Sequence, residues 1–259
     1  MIRIKVLLPL IVLLLQSCGT VVTYTTGSSI DINETTEEDR SIVQWLQPLS
    51  DSLNSQMNEI IGFTPQEYRP IRSKGRISEL EQHKATLARL VADYTLEWSR
   101  KFAQKNNLPL PEIAVLNHNG LRNSIDSGTI SLGNVYEVMP FDNEVVLLVL
   151  SGKQMIELFN YIAQIGGSPF SGGIIYLDTQ EFAKAEINGN MFDSRRSYCI
   201  ATVDFMLGGG DGFTMLKDAK KTIQTGTFLR DVIINGIRLE TKESNGQLRP
   251  RNNPRIYHR

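Results

Sequence analysis

Residues 198–214, Tyr-Cys-Ile-Ala-Thr-Val-Asp-Phe-Met-Leu-Gly-Gly-Gly-Asp-Gly-Phe-Thr, constrain this chain more than any other stretch. Tyr198 to Phe205 reads as a mostly buried strand: apolar, partly β-branched and free of breakers. It runs into Gly208, Gly209 and Gly210, then Asp211 and Gly212. A loop without β-carbons at a strand's end lets backbone approach a ligand closely. It also carries one ring, Phe205, and one carboxylate, Asp211, at its two edges. A plain glycine-rich turn with a helper aspartate accounts for the same residues, and both readings stand at this point.

The N-terminus is set apart from the fold. Arg3 and Lys5 precede a ten-residue apolar run, Val6 to Leu15, too short to span a bilayer as a mature helix and typical of a secretory signal. Leu15-Gln16-Ser17-Cys18 resembles a bacterial lipobox, which implies that Cys18 becomes the lipidated first residue; an ordinary signal with an incidental cysteine is the alternative. The expected organisation is a signal peptide over 1–17, a Thr/Ser/Gly-rich tether over 18–39, a folded domain over 40–240 and a loosely packed polar tail over 241–259. Such a protein belongs to the cell envelope, anchored through Cys18 and facing the periplasm. The other cysteine, Cys199, has no partner for an intramolecular disulfide and reads as a buried small hydrophobe.

Of 27 Lys and Arg, removing Arg3 and Lys5 leaves 25 against 28 Asp and Glu. That balance argues against a nucleic-acid polymer as partner, since a phosphate backbone needs a basic face.

Along the chain, apolar residues at Ile42, Leu46, Leu49, Leu53, Met57 and Ile60 step by three and four, as in an amphipathic helix that Pro48 kinks or begins. Residues 64–80 read as extended chain and turns, and Ala85 to Lys105 as a second helix with Leu87, Leu90, Val91, Tyr94, Trp98 and Phe102 on one face. Both helices are expected to serve packing. Ile113 to Leu116 is a short strand, 129–140 mixes turn and strand signals, and Glu144 to Leu150 is a strongly apolar strand. Ser151 and Gln154 form a capping box for a helix closed by Gly166 and Gly167. Ile174 to Leu177 is a strand, Ala183 to Phe192 a hairpin turning at Asn188-Gly189, and Phe228 to Ile237 a candidate helix. The intermixing predicts an α+β fold with a mixed sheet flanked by helices.

The chemistry narrows by elimination. His83, His118 and His258 are the only histidines and show no metal-ligand spacing, so no metal site is expected from this chain. No Gly-x-Ser-x-Gly elbow and no GxGxxG loop occur, and no catalytic residue is assigned. A binding constellation remains. Phe141 follows a proline and precedes Asp142-Asn143, an odd place for a core ring, and Phe205 sits at the glycine loop. Two rings on separate loops suit a planar base. Asn117 and Asn143 suit its polar edges, Asp211 suits sugar hydroxyls, and Arg122 offers a planar fork for a phosphate or sugar oxygen. Two core phenylalanines are the plainer reading.

Asn117-His118-Asn119-Gly120-Leu121-Arg122, Pro140-Phe141-Asp142-Asn143 and Phe205 through Gly-Gly-Asp211-Gly-Phe213 together resemble the C-terminal domain of the 5′-nucleotidases. The nineteen-residue step from Arg122 to Phe141 is similar to that of the bacterial periplasmic members, and Gly128-Thr-Ile-Ser131, Ser151-Gly-Lys153 and Phe170-Ser-Gly-Gly-Ile resemble family residues too. The resemblance implies that Phe141 and Phe205 clamp a base and Asp211 holds the ribose. It also implies that Gly209 and Gly210 bring backbone to the ligand, that Asn117 and Arg122 touch base, ribose or phosphate, and that Asn143 lies near the base.

Two departures accompany it. The family's Asn-Gly-Gly-Gly-Ile-Arg becomes Asn-His-Asn-Gly-Leu-Arg, and the Arg and Glu before its Leu-Gly-Asn-Leu-Val-Ala-Asp become Glu81-Gln-His-Lys84, which leaves Lys84 or Arg89 to replace a missing anionic-group anchor. The family's metallophosphoesterase domain, with its two metals, is not within these residues. The expectation is therefore a lipid-anchored domain that binds nucleoside or nucleotide and gives specificity to phosphate-ester hydrolysis by a separate metallophosphoesterase chain carrying the divalent metals. No cofactor is expected on this chain. The alternative is a non-catalytic nucleoside-binding or protein-interaction module.

Overall fold

A computed structural model describes residues 38–71, 77–179 and 181–258. The signal, Cys18 and nearly all of the expected tether lie outside the described residues. Contacts divide the chain into one unit ending at Gln47 and a compact unit from Pro48 onward.

In chain order the elements are α1 (Arg40–Met57), β1 (Ile60–Thr64), α2 (Glu79–Lys84), α3 (Thr86–Lys105), β2 (Ile113–Val115), β3 (Gly128–Ser131), α4 (Leu132–Val138) and β4 (Glu144–Ser151). There follow α5 (Gly152–Ile165), β5 (Phe170–Ser171), β6 (Gly173–Asp178), β7 (Glu181–Ile187), β8 (Asn190–Met191) and β9 (Ser197–Val203). The last are a single helical turn α6 (Asp204–Leu207), β10 (Lys221–Phe228), α7 (Leu229–Glu243) and β11 (Ile256–His258). The α+β expectation is met by a mixed five-stranded sheet ordered β10-β4-β9-β2-β5, with a four-stranded sheet β11-β6-β7-β8 and the pair β1-β3 beside it.

The five-stranded sheet is covered on both faces, which is why β4 reads as an unbroken apolar run. On one face Ala114, Leu147, Cys199 and Ala201 pack against Leu96 and Ala103 of α3. The alternate residues Val146, Leu148 and Ile200 join the main core with Met155, Leu158, Phe159 and Ile162 of α5. Burial pushes the Cys199 thiol up to about 12, so it stays a neutral packing group. The capping box at Ser151 and Gln154 starts α5, and Gly166 ends it in the left-handed conformation. Asn188 and Gly189, at φ of 50° and 76°, turn the β7–β8 hairpin as expected.

Several expectations are corrected. The β9 strand stops at Val203, and Phe205 stands on the helical turn α6. Residues 129–140 hold a strand end and then the helix α4, opened by a Ser131–Asn134 capping box. The span 64–80 ends in the start of α2, where Ser78 and Glu81 form another box. The helix α1 runs through Pro48 and buries none of its side chains, so its apolar stripe is not a packing face among the described residues.

The C-terminal stretch is not loose. Glu240, only 3% exposed, accepts hydrogen bonds from Tyr94 (2.8 Å), from the Arg249 backbone (2.8 Å) and from Arg251 (2.8 Å). Asp93 in turn accepts from Arg251 (2.9 Å) and Arg255 (2.8 Å), and Ile256–His258 pairs in parallel with β6. A composition-based reading saw polar residues there. Their partners are a half-buried carboxylate, Asp93, more than a hundred residues earlier and a buried one, Glu240, on α7, which composition does not register.

Burial alone would raise the Glu240 carboxyl, but the hydrogen bonds from Arg249, Arg251 and Tyr94 outweigh it and hold it below the usual glutamate value of 4.5. A folded value below the unfolded one means this stabilisation is complete above pH 4.5 and is lost as pH falls through the folded value. Glu240→Ala is expected to cost about 3–5 kcal/mol in urea denaturation, because the mostly enclosed Arg251 guanidinium loses its carboxylate and the Tyr94 hydroxyl its acceptor. Hydrogen exchange should rise across Arg249–His258 well before it rises in β4 or β9.

Candidate functional site

The middle of the sheet decides where the site lies. β2 and β9 are parallel, with Ile113 opposite Ile200 and Ala114 opposite Ala201. β4 is antiparallel to β9, with Val145 opposite Val203. The C-terminal ends of β2 and β9 and the N-terminal end of β4 therefore share one sheet edge. Chain leaving β2 carries Asn117, chain leaving β9 carries Phe205, and chain entering β4 carries Phe141 and Asn143.

A cavity of about 200 Å³ opens at that edge, lined by Asn117, Asn119, Gly120, Arg122, Phe141, Asn143, Phe205 and Asp211. Six of the eight residues expected to bind substrate thus surround one space. The other two, Gly209 and Gly210, form the turn behind it. Gly209 has a φ of +82°, and a β-carbon on Gly210 would come within 2.4 Å of the Phe205 ring. Glycine there is what lets the ring lie over the loop. Phe141 and Phe205 are 42% and 45% exposed, so neither is a core ring.

Side chains outside the sequence-derived set hold these groups. Asp204 accepts from the backbone N–H groups of Phe205 (2.7 Å) and Glu144 (3.2 Å), tying the α6 turn to the start of β4. Arg230, on the first turn of α7, donates to the Met139 carbonyl (3.2 Å) and pairs with Asp142, gripping the loop on both sides of Phe141. The Tyr161 hydroxyl donates to the Asp211 carbonyl, and its ring packs edge-on against buried Phe213 with centroids 4.9 Å apart. An apolar-face reading of α5 passes over Tyr161, because the tyrosine serves a loop fifty residues later. An acid, an arginine and a tyrosine scattered over three helices carry no spacing that would single them out.

Asp211 has a φ of 50°, left-handed for a residue with a side chain. Its Oδ2 accepts from Asn117 Nδ2 at 2.7 Å, so the two polar side chains expected to contact a ligand are aligned with each other first. The Arg122 guanidinium carbon stands 5.9 Å from the Phe141 ring centroid, a cation–π approach, and its Nη1 reaches the Asn119 carbonyl at 3.4 Å. His118 is half-buried, with a buried Nδ1 that has no hydrogen-bond partner. Burial holds its imidazole below the usual histidine value against the pull of the Asp211 carboxylate, so it is neutral at neutral pH.

Neither suggested substitute for the missing anionic-group anchor reaches this cavity. Arg89 is buried and donates to the carbonyls of Arg251 (2.6 Å), Gln82 (2.7 Å) and His83 (2.9 Å). Lys84 lines a separate surface hollow with Glu67, Arg69 and Glu81. Among the described residues no three His, Cys, Asp or Glu side chains are gathered as metal ligands would be.

Residues 60–218 match the 5′-nucleotidase, C-terminal domain family. The protein UshA of Escherichia coli is 28% identical over 221 residues, covering 82% of this chain and 37% of its own length. The trifunctional nucleotide phosphoesterase protein YfkN of Bacillus subtilis is 29% identical over 208 residues, 74% of this chain and 14% of its own length. Among solved structures, the 5′-nucleotidase precursor of Thermus thermophilus superposes with a TM-score of 0.64 at 22% identity, covering 84% of this chain and 42% of that one. The NAD nucleotidase of Haemophilus influenzae superposes at 0.63 with 15% identity, covering 86% of this chain and 42% of that one. The chain therefore spans less than half the length of these relatives. With the family's motif residues gathered at one sheet edge and the family match running over most of the folded part, this chain belongs to the 5′-nucleotidase C-terminal domain family.

Proposed function

We propose that this chain binds a nucleoside or nucleotide and gives substrate specificity to phosphate-ester hydrolysis carried out by a separate metallophosphoesterase chain. The observation that carries this reading is the pair of exposed rings, Phe141 and Phe205, on two loops around one cavity that also holds Asn117, Asn143 and Asp211. Exposed aromatic rings cost free energy in water and gain it by stacking on a planar base, at about 1–3 kcal/mol per base. The cavity lies below the roughly 300–1,000 Å³ of sites that engulf drug-sized ligands, which suits a base with its sugar at the mouth.

In this reading Phe141 and Phe205 hold the base, and Asn143 and Asn117 meet its polar edges. Asp211, with Oδ2 already held by Asn117, turns its other oxygen to ribose hydroxyls. Gly209 and Gly210 make room for the Lys217 side chain and the Phe205 ring, so the loop can pack beneath that ring. The names of several relatives, nucleotidase and nucleotide phosphoesterase among them, support a nucleotide-related substrate. The divalent metals, the attacking water and the acid–base groups are assigned to the partner. Attachment through Cys18 would keep the module at the membrane, facing the periplasm. A non-catalytic nucleoside-binding or interaction module is the second reading, favoured by the side chains of His118 and Asn119 where the family has glycines.

Titration of adenosine into the protein should give saturable binding that a Phe141→Ala, Phe205→Ala double variant weakens by about thirtyfold or more, at about 1–3 kcal/mol per lost stack. Unchanged affinity in a folded double variant would sink the base clamp. With divalent metal and AMP, the protein alone should release no phosphate, and a metallophosphoesterase from the same cell should gain turnover when it is added. A partner that gains nothing favours the second reading.

A further inference from the structure

Among the described residues, no element exposes as many large apolar side chains as α1. At 3.6 residues per turn, Ile42, Trp45, Leu46, Leu49 and Leu53 fall within one arc of about 100°. They are 41–79% exposed, Trp45 the most, and α1 buries none of its side chains. A continuous apolar stripe of this kind marks a surface that something else covers.

The residues around the stripe identify what covers it. The other positions of α1 are mostly Ser, Gln and Asn, and its only charges, Arg40 and Asp51, lie on the face opposite Leu49. Paired helices take register and partner choice from charges flanking the apolar seam, and none flank this one. Pro48 also interrupts the run of backbone donors that keeps a helix straight enough for a matched groove. A lipid surface asks for neither register nor complementary charge. It takes an amphipathic helix with a polar outer face and an aromatic ring at the boundary, and Trp45 stands at the edge of the stripe. The 18 residues of α1 span about 27 Å, and no described helix is long and apolar enough to cross a membrane, so the helix lies along the surface.

Its place in the chain points to the same partner. Arg40 stands 22 residues after Cys18, so a lipid on that cysteine keeps the start of α1 within about 75 Å of the bilayer. Resting on that anchored reading, we infer that α1 is a membrane-surface helix whose Ile42–Leu53 stripe enters the lipid, a second attachment besides Cys18. The surface it takes is an uncharged one. Glu37, Glu38 and Asp39 immediately precede Arg40, and anionic headgroups repel that acidic run.

The chain has two tryptophans, so Trp98→Phe leaves Trp45 as the only indole to report on α1. Protein purified with its lipid in detergent is reconstituted into phosphatidylcholine vesicles, and Trp45 emission is followed. The expected result is a blue shift, with about half or more of the emission quenched by bromines on the acyl chains, since such a stripe sits about 5–10 Å into the headgroup boundary. Quenching should be no stronger in phosphatidylglycerol vesicles. Leu49→Gln with Leu53→Gln should abolish the shift and the quenching while the protein still floats with the vesicles through Cys18. Flotation with Trp45 still open to iodide, or quenching only in phosphatidylglycerol, would overturn the inference and leave the anchored reading intact. A blue shift that grows with protein concentration without vesicles assigns the stripe to a second copy. One that appears only when a metallophosphoesterase is added assigns it to that chain, and either result overturns the inference too. Protein that neither floats nor shifts would overturn the anchored reading and the inference together.

Discussion

Everything at the site depends on the register of three adjacent strands. Val145 to Leu148, Ile200 to Val203 and Ile113 to Val115 are buried, and their side chains are committed to cores on opposite faces. A slip of one residue in any of them would exchange the two faces, sending Leu147 toward α5 and Leu148 toward α3. Because both faces are packed, that slip is strongly disfavoured, and the ends of the strands are fixed to within a residue. Asn117 and Phe205 each stand two residues past the ends of β2 and β9, and Asn143 immediately precedes β4. Their convergence follows from strand pairing rather than from contacts among themselves.

A second set of interactions closes the molecule around that sheet. Asp93 and Glu240 are acids on α3 and α7, and the arginines that neutralise them come from residues 249–255. Burying a carboxylate is costly unless it is paired and hydrogen-bonded. Here each carboxylate has several donors, so the stretch after α7 is drawn across the helices and delivers β11 to β6. Removing that stretch would take every arginine from Asp93 and Glu240 and leave them only the hydroxyls of Ser171 and Tyr94 as donors. The polar composition of the C-terminus is thus a structural requirement of α3 and α7.

How much of this the residues announce depends on the range of the interaction. Local signals held: the capping box at Ser151, the Asn188-Gly189 turn, the apolar run of β4 and the helical period of α3 all depend on neighbours within a few positions. The expected lining residues were legible because a known motif carried them, and six of eight border one cavity. What was missed acts over distance. Nothing near Arg230 says that it grips the Phe141 loop, and nothing near Tyr161 says that its hydroxyl serves Asp211. The strands β1 and β10 were missed for another reason. They lie at sheet edges, β1 mixing exposed with buried positions and β10 having none buried, so their apolar signal is weak.

The glycine loop shows why the motif has the form it does. Left-handed backbone at Asp211 costs on the order of 1 kcal/mol or more, and aspartate tolerates it better than most residues. The loop recovers that cost through anchors at every neighbouring position. Gly210 makes room for the Phe205 ring, and Gly212 makes room for the Tyr161 hydroxyl, which a β-carbon would meet at 2.1 Å. Phe213 is fully buried against Tyr161 and pins the far end. Asn117, from a different strand end, then fixes the carboxylate. An unanchored loop would leave Asp211 to sample many directions, and a ligand would have to order it on binding at an entropic cost. The strain and its anchors instead hold the carboxylate at the cavity before any ligand arrives.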